Sequence, residues 1–215
     1  MILGAVQVVR NVADLETAEA PYAQAGFTRS FLEPSLTVHP AKAPLLSGPR
    51  PALAMTHLTV ADELPVELTA YAGGPPAGAA PFALEADDGL HPQRVVAPTH
   101  DPKASGAFWD LLGARADPQG DRRFAGPLAA WRLGLVTPDG PSQRGRTTLD
   151  AEGWVLVTVL TTGLVTDLAR LGDSGLLGRA TEPWTEEVGG RPIEVAIVEG
   201  PAGELVEILQ VASRR

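Results

Sequence analysis

The sequence predicts an α+β fold built from repeated βαβββ units. Three observations carry that expectation: a self-similarity at a fixed offset, an Asp and a Gly bracketing a helix in each copy, and a run of strand-like segments after each helix. Residues 7–27, QVVRNVADLETAEAPYAQAGF, align with residues 94–114, RVVAPTHDPKASGAFWDLLGA. Val8 and Val9 meet Val95 and Val96, Asp14 meets Asp101, Tyr22 meets Trp109, and Gly26 meets Gly113. An internal repeat constrains the fold more than any single short motif does.

Each copy opens on a short apolar strand that runs into an Asp. A short carboxylate side chain suits a helix N-cap. A helix of about three turns follows, with Leu15, Ala18, Tyr22 and Ala25 at helical spacing in the first copy. Gly26 and Gly113 then stop the helices, as residues able to adopt the left-handed conformation do. A third, fainter copy spans Trp154 to Gly175, WVLVTVLTTGLVTDLARLGDSG, with a helix over Leu164–Leu171 and its capping Asp displaced. Strands are expected at 27–33, 53–60 and 64–71 after the first helix, at 122–126 and 129–137 after the second, and at 191–199 and 203–211 after the third. The second copy lacks an obvious fourth strand, for which TTLD (147–150) is the candidate. Pro and Gly mark the loops at 39–51, 72–81 and 137–146. The expected organisation is a first unit over 1–75, a linker over 76–92, and a region of two further units over 93–215, the second unit incomplete.

Composition narrows the function. With 215 residues, 44% hydrophobic and 20% charged, the chain can bury a proper core. No apolar run approaches the 18 residues of a membrane-spanning helix, and the first residues lack the basic region and cleavage site of a signal peptide. There is no Cys, which excludes disulfides, thiolate metal sites and Cys nucleophiles. A net charge of −9 argues against nucleic acid and anionic membrane surfaces as partners. The expectation is a cytoplasmic protein acting on a small organic molecule, with a homodimer as a way to complete an odd number of units. No Walker, GxGxxG or GxSxG pattern is present, so neither a nucleotide cofactor nor a nucleophilic serine is expected.

The strand–Asp–helix segment ending in AGF (25–27), the FWDLLGA segment (108–114) and the closing GPAGELVEILQ (200–210) together resemble the vicinal oxygen chelate superfamily, which includes glyoxalase I, bleomycin-resistance proteins, methylmalonyl-CoA epimerase and extradiol dioxygenases. The resemblance implies that pairs of βαβββ units form a cupped mixed β-sheet with flanking helices and with ligand and metal in the cup. It also implies four cup-facing positions, one on each unit's first strand and one on its last. Here these are Gln7 and Arg94 on the first strands, and Glu67 and Glu207 on the last. In the third copy the first-strand position falls near Leu156, which has no ligand atom.

Glu207 lies between Val206 and Ile208 in an apolar strand, where a carboxylate needs a partner. Two arrangements stay open. In one, Arg94 pairs with Glu207 or Glu67 inside a metal-free cup, since a guanidinium cannot ligate a cation. In the other, units one and three pair, Arg94 lies elsewhere, and Gln7, Glu67 and Glu207 hold a divalent metal. The first is preferred, so no cofactor is favoured. Glu67, Glu207 and His57 are the catalytic candidates; His57 alternates with Met55 and Thr59 and would face the cup as a general base. Gln7, Arg94, Trp131 and Trp154 are the substrate-binding candidates. The expected activity is of lyase or isomerase type, acid–base chemistry on an oxygenated metabolite. The alternative is a protein that sequesters an antibiotic or metabolite without turnover, for which Trp131 and Trp154 would supply an aromatic lining.

Overall fold

A computed structural model describes residues 1–76, 80–84, 89–124, 131–138, 147–188 and 190–211. Within the linker read over 76–92, residues 77–79 and 85–88 lie outside the described residues, as do 139–146 of the loop read over 137–146. The strands read over 122–126 and 129–137 likewise reach into the undescribed stretch 125–130.

The first unit comprises β1 (Ile2–Asn11), α1 (Leu15–Gln24), β2 (Thr28–Thr37), β3 (Ala52–Thr59) and β4 (Val66–Tyr71), with a 3-10 helix (Pro40–Leu45) between β2 and β3. Asp14 caps α1, its carboxylate accepting from the Thr17 N–H at 2.8 Å. A two-residue strand β5 (Ala83–Leu84) precedes the second unit: β6 (Arg94–Pro98), α2 (Pro102–Leu111), β7 (Ala114–Ala116), β8 (Arg122–Phe124) and β9 (Arg132–Val136). Asp101 caps α2 in the same way through the Ala104 N–H at 2.9 Å. Gly26 and Gly113, the helix stops of the two aligned copies, take φ of 91° and 90°, a region costly for any residue with a Cβ. The third unit comprises β10 (Gly153–Thr161), α3 (Leu164–Asp173), β11 (Trp184–Val188), β12 (Arg191–Glu199) and β13 (Leu205–Val211).

The strands form an eight-stranded mixed sheet, ordered β11-β12-β13-β10-β1-β4-β3-β2, and a five-stranded sheet, ordered β5-β6-β9-β8-β7. At the centre of the larger sheet β1 runs antiparallel to β10, while β1 is parallel to β4 and β10 is parallel to β13. Units one and three therefore pair through their first strands, and one chain supplies both halves of the curled sheet. The second unit has its own sheet. Its missing strand is β7, immediately after Gly113, rather than TTLD, which is not a strand. Three residues are too few to show a period-2 pattern, so this strand left no readable signal.

One buried cluster joins the two sheets: Val8, Tyr22, Leu68, Phe108, Trp109, Leu133, Val157 and Ile208 all belong to it. The aligned pair Tyr22 and Trp109 are both fully buried. No helix among the described residues is long and apolar enough to cross a membrane.

Candidate functional site

The concave face of the larger sheet encloses a cavity of about 250 Å³. Alternation places Gln7 and Asn11 on its wall from β1, Met55 and His57 from β3, Glu67, Thr69 and Tyr71 from β4, and Glu207 and Leu209 from β13. The pairing of units one and three makes the two halves equivalent. Glu67 on β4 is reached from β1, and Glu207 on β13 from β10. Gln7 Nε2 donates to Glu67 Oε2 at 2.8 Å, and Thr158 Oγ1 donates to Glu207 Oε2 at 2.9 Å. Gln7 and Thr158 are themselves partners across β1 and β10.

The third unit's counterpart of Gln7 is Leu156: Val9 pairs with Glu67 and Thr158 with Glu207, and Gln7 and Leu156 each lie two residues before those partners and line the cavity.

Arg94 is not in the cup. It lies on β6 in the five-stranded sheet and clamps Asp121 through two bonds, Nε to Oδ2 at 2.7 Å and Nη2 to Oδ1 at 2.8 Å. Its expected pairing with Glu67 or Glu207 is replaced by this contact because, among the described residues, the second unit's strands pair in the smaller sheet. Trp131 and Trp154 also fall outside the cup. Trp131 is 2% exposed and packs against Phe124, its ring 5.5 Å away. Trp154 is bridged to Phe82 and lies under the Arg10 guanidinium. Both rings serve the core between the sheets. The aromatic rings on the cavity wall are Phe31 and Tyr71.

His57 lines the cavity and pairs across the strands with Glu67. Its Nδ1 is 2.6 Å from the Ser30 hydroxyl and its ring stacks on Phe31. Burial lowers its pKa, so the imidazole is neutral at pH 7.

Burial, reinforced by the Glu207 charge, pushes Glu67 up to about 8, against the lowering effects of Lys42 and of the Gln7 hydrogen bond. Burial also raises Glu207, opposed by Lys42 and by the Thr158 hydrogen bond. Two buried carboxyls that repel one another do not both ionise at neutral pH. Glu67, pushed up to about 8, keeps a proton there.

Three cup residues carried no mark in the repeat. Thr158 pairs with Glu207 at the place Val9 takes beside Glu67, where the aligned copies carry only valine. Lys42 lies in the Pro-rich insertion between β2 and β3, which the other copies lack. Glu186 follows the alternation Trp184, Glu186, Val188 on β11, a period-2 signal that was readable in WTEEV.

Structural comparison places this geometry within a known fold. The chain superposes on a single-residue variant of glyoxalase I from Zea mays with a TM-score of 0.64, covering 96% of this chain and 92% of that one at 14% identity. The unsubstituted maize glyoxalase I gives 0.62 over the same shares, again at 14% identity. Methylmalonyl-CoA epimerase from Mycobacterium tuberculosis gives 0.46 at 13% identity, covering 99% of this chain and 91% of that one. No family model and no curated protein matches the sequence. The chain shares the fold of maize glyoxalase I.

The resemblance read from the sequence implies a metal at the four strand positions, and the residues present do not fit one. The positions hold two carboxyls, an amide and, at Leu156, a side chain with no ligand atom. The Gln7 amide N–H and the Thr158 hydroxyl both point as donors at the carboxylates, where a ligand would aim a lone pair at a metal. An ammonium group, that of Lys42, lines the same cavity. Among the described residues no three His, Cys, Asp or Glu side chains draw together as a metal-binding group.

Proposed function

We propose that the cup binds a small oxygenated organic molecule and transfers a proton on it, a reaction of lyase or isomerase type. The observation that carries this reading is the placement of two carboxyls, Glu67 and Glu207, at equivalent positions of β4 and β13 on the wall of one cavity. Near neutral pH, one acts as acid and the other as base. Glu207 removes a proton from carbon. Glu67, still protonated, donates to the oxygen on which negative charge develops. Gln7 and Thr158 hold the two carboxyls in position. His57 stands beside Glu67 as a neutral imidazole able to accept a second proton. The structural neighbour named glyoxalase I is an enzyme of the same fold, which supports a catalytic use of the cup without specifying the substrate.

The test is hydrogen exchange in D2O. A panel of small α-hydroxy ketones and 2-hydroxy acids is incubated with the protein, and loss of the C–H signal is followed by NMR. Glu67→Gln and Glu207→Gln should each slow exchange by about 10²–10⁴-fold. Wild-type rates in both variants would sink the proposal. Binding without any exchange in the wild type would instead favour sequestration.

A further inference from the structure

We propose that Lys42, rather than a divalent metal, supplies the positive charge of the cup, as the positioning residue for the Glu67–Glu207 pair. This rests on the acid–base reading above and adds its electrostatic device. The two cup carboxyls are joined on the cavity wall by a third, Glu186 on β11, and such a concentration of acidic groups away from bulk water needs a cation.

Lys42 is built to be that cation. Its side chain is only 11% exposed. Its Nζ lies 5.4 Å from the Trp184 ring centroid and 3.7 Å from Glu186 Oε2. Trp184 in turn donates from Nε1 to the same Glu186 oxygen at 3.1 Å, and His39 stacks on the Trp184 ring. The 3-10 helix that carries Lys42 is fastened to the sheet. Leu45 is fully buried, its carbonyl accepts from the Leu149 N–H at 2.7 Å, and the Pro44 carbonyl accepts from Arg179 Nη1 at 3.0 Å. A flexible surface lysine has none of these restraints. The other titratable or charged groups on the cavity wall are His57, Tyr71 and Arg191. His57 is neutral, and burial raises Tyr71 so that it stays un-ionised.

The arrangement has two consequences. An ammonium near two coupled carboxyls favours the state in which one of them is ionised. The same ammonium repels a divalent cation from the place where the fold elsewhere keeps one. Lys42 opposes the effect of burial on both Glu67 and Glu207, in agreement with its position.

The test uses the full chain and two variants, Lys42→Met, which keeps length and apolar stem, and Lys42→Arg, which keeps charge. Calorimetric titration with Mn²⁺, Ni²⁺ and Zn²⁺ should show no stoichiometric binding to the wild type. Lys42→Met should bind at least one of these ions about tenfold more tightly than the wild type does. Micromolar, stoichiometric binding of any of the three to the wild type overturns the proposal. In the exchange assay, Lys42→Met should move the alkaline limb of the pH profile up by about one unit, and Lys42→Arg should restore it. A Lys42→Met profile that superposes on the wild type also overturns the proposal. The metal titration is read whether or not exchange occurs, so failure of the catalytic reading and failure of the Lys42 assignment give different results.

Discussion

Glu67 links folding to proton uptake. Its ordinary pKa is 4.5 and the fold raises it to about 8, through burial first and the Glu207 charge second. Between those values the folded protein holds a proton that the unfolded chain has released. This contribution to stability is therefore complete below about pH 4.5 and is lost as pH rises through about 8. Glu67→Gln removes the titration while keeping the shape and the ability to hydrogen-bond. Thermal unfolding should show the variant gaining on the wild type at pH 8–9 but not at pH 5. Each kcal/mol relieved is worth about 2–4 °C at this chain length. An equal shift at both pH values would mean that Glu67 is not the group that titrates. At this scale the sequence was informative for the carboxylates, because Glu207 in an apolar strand has no innocent explanation. It was silent on Lys42, because a lysine in a Pro-rich insertion reads as surface.

The strand is the unit that decided which residues meet. Arg94 and Gln7 occupy matching places in the aligned copies, yet β6 pairs with β9 in one sheet and β1 pairs with β10 in the other. Arg94→Ala should accordingly cost about 1–2 kcal/mol in chemical denaturation, since it breaks a partly buried two-point contact with Asp121. It should leave ligand binding and exchange in the cup unchanged. A loss of binding without loss of stability would return Arg94 to the site. The helices were readable from their ends: Asp14 and Asp101 cap, and Gly26 and Gly113 stop. The cap of α3 was not. Its first N–H is met by Gln210 Oε1 at 2.6 Å, a side chain from β13 that lies 46 residues away in the chain.

The whole molecule is held together at the seam between its sheets. The GPAG turn before β13 meets α2 there. Glu204 Oε2 accepts from the Ala202 N–H at 2.8 Å, and the Gly200 N–H donates to the Glu204 carbonyl at 2.8 Å. A Cβ on Gly200 would fall 2.7 Å from both the Phe108 ring and Glu204 Oε2. Gly200→Ala should therefore destabilise by about 1–3 kcal/mol through overpacking. Because the core cluster spans both sheets, the loss should appear as a shift of one cooperative unfolding transition followed by circular dichroism and by tryptophan fluorescence. Two separated transitions would show that the five-stranded sheet unfolds as an independent body.

By itself the sequence determined the α+β class, the repeated unit, the helix termini and the carboxylates at the ends of two units. All of these follow from local periodicity, capping chemistry and the cost of burying charge. Tertiary structure alone decided that units one and three share a sheet, that Thr158 donates to Glu207, and that Lys42 rather than Arg94 brings a cation to the carboxylates. The physical reason is the same in each case. Strand pairing and register depend on groups distant in the chain, and a bulge or an insertion changes them without disturbing the local pattern from which a sequence is read.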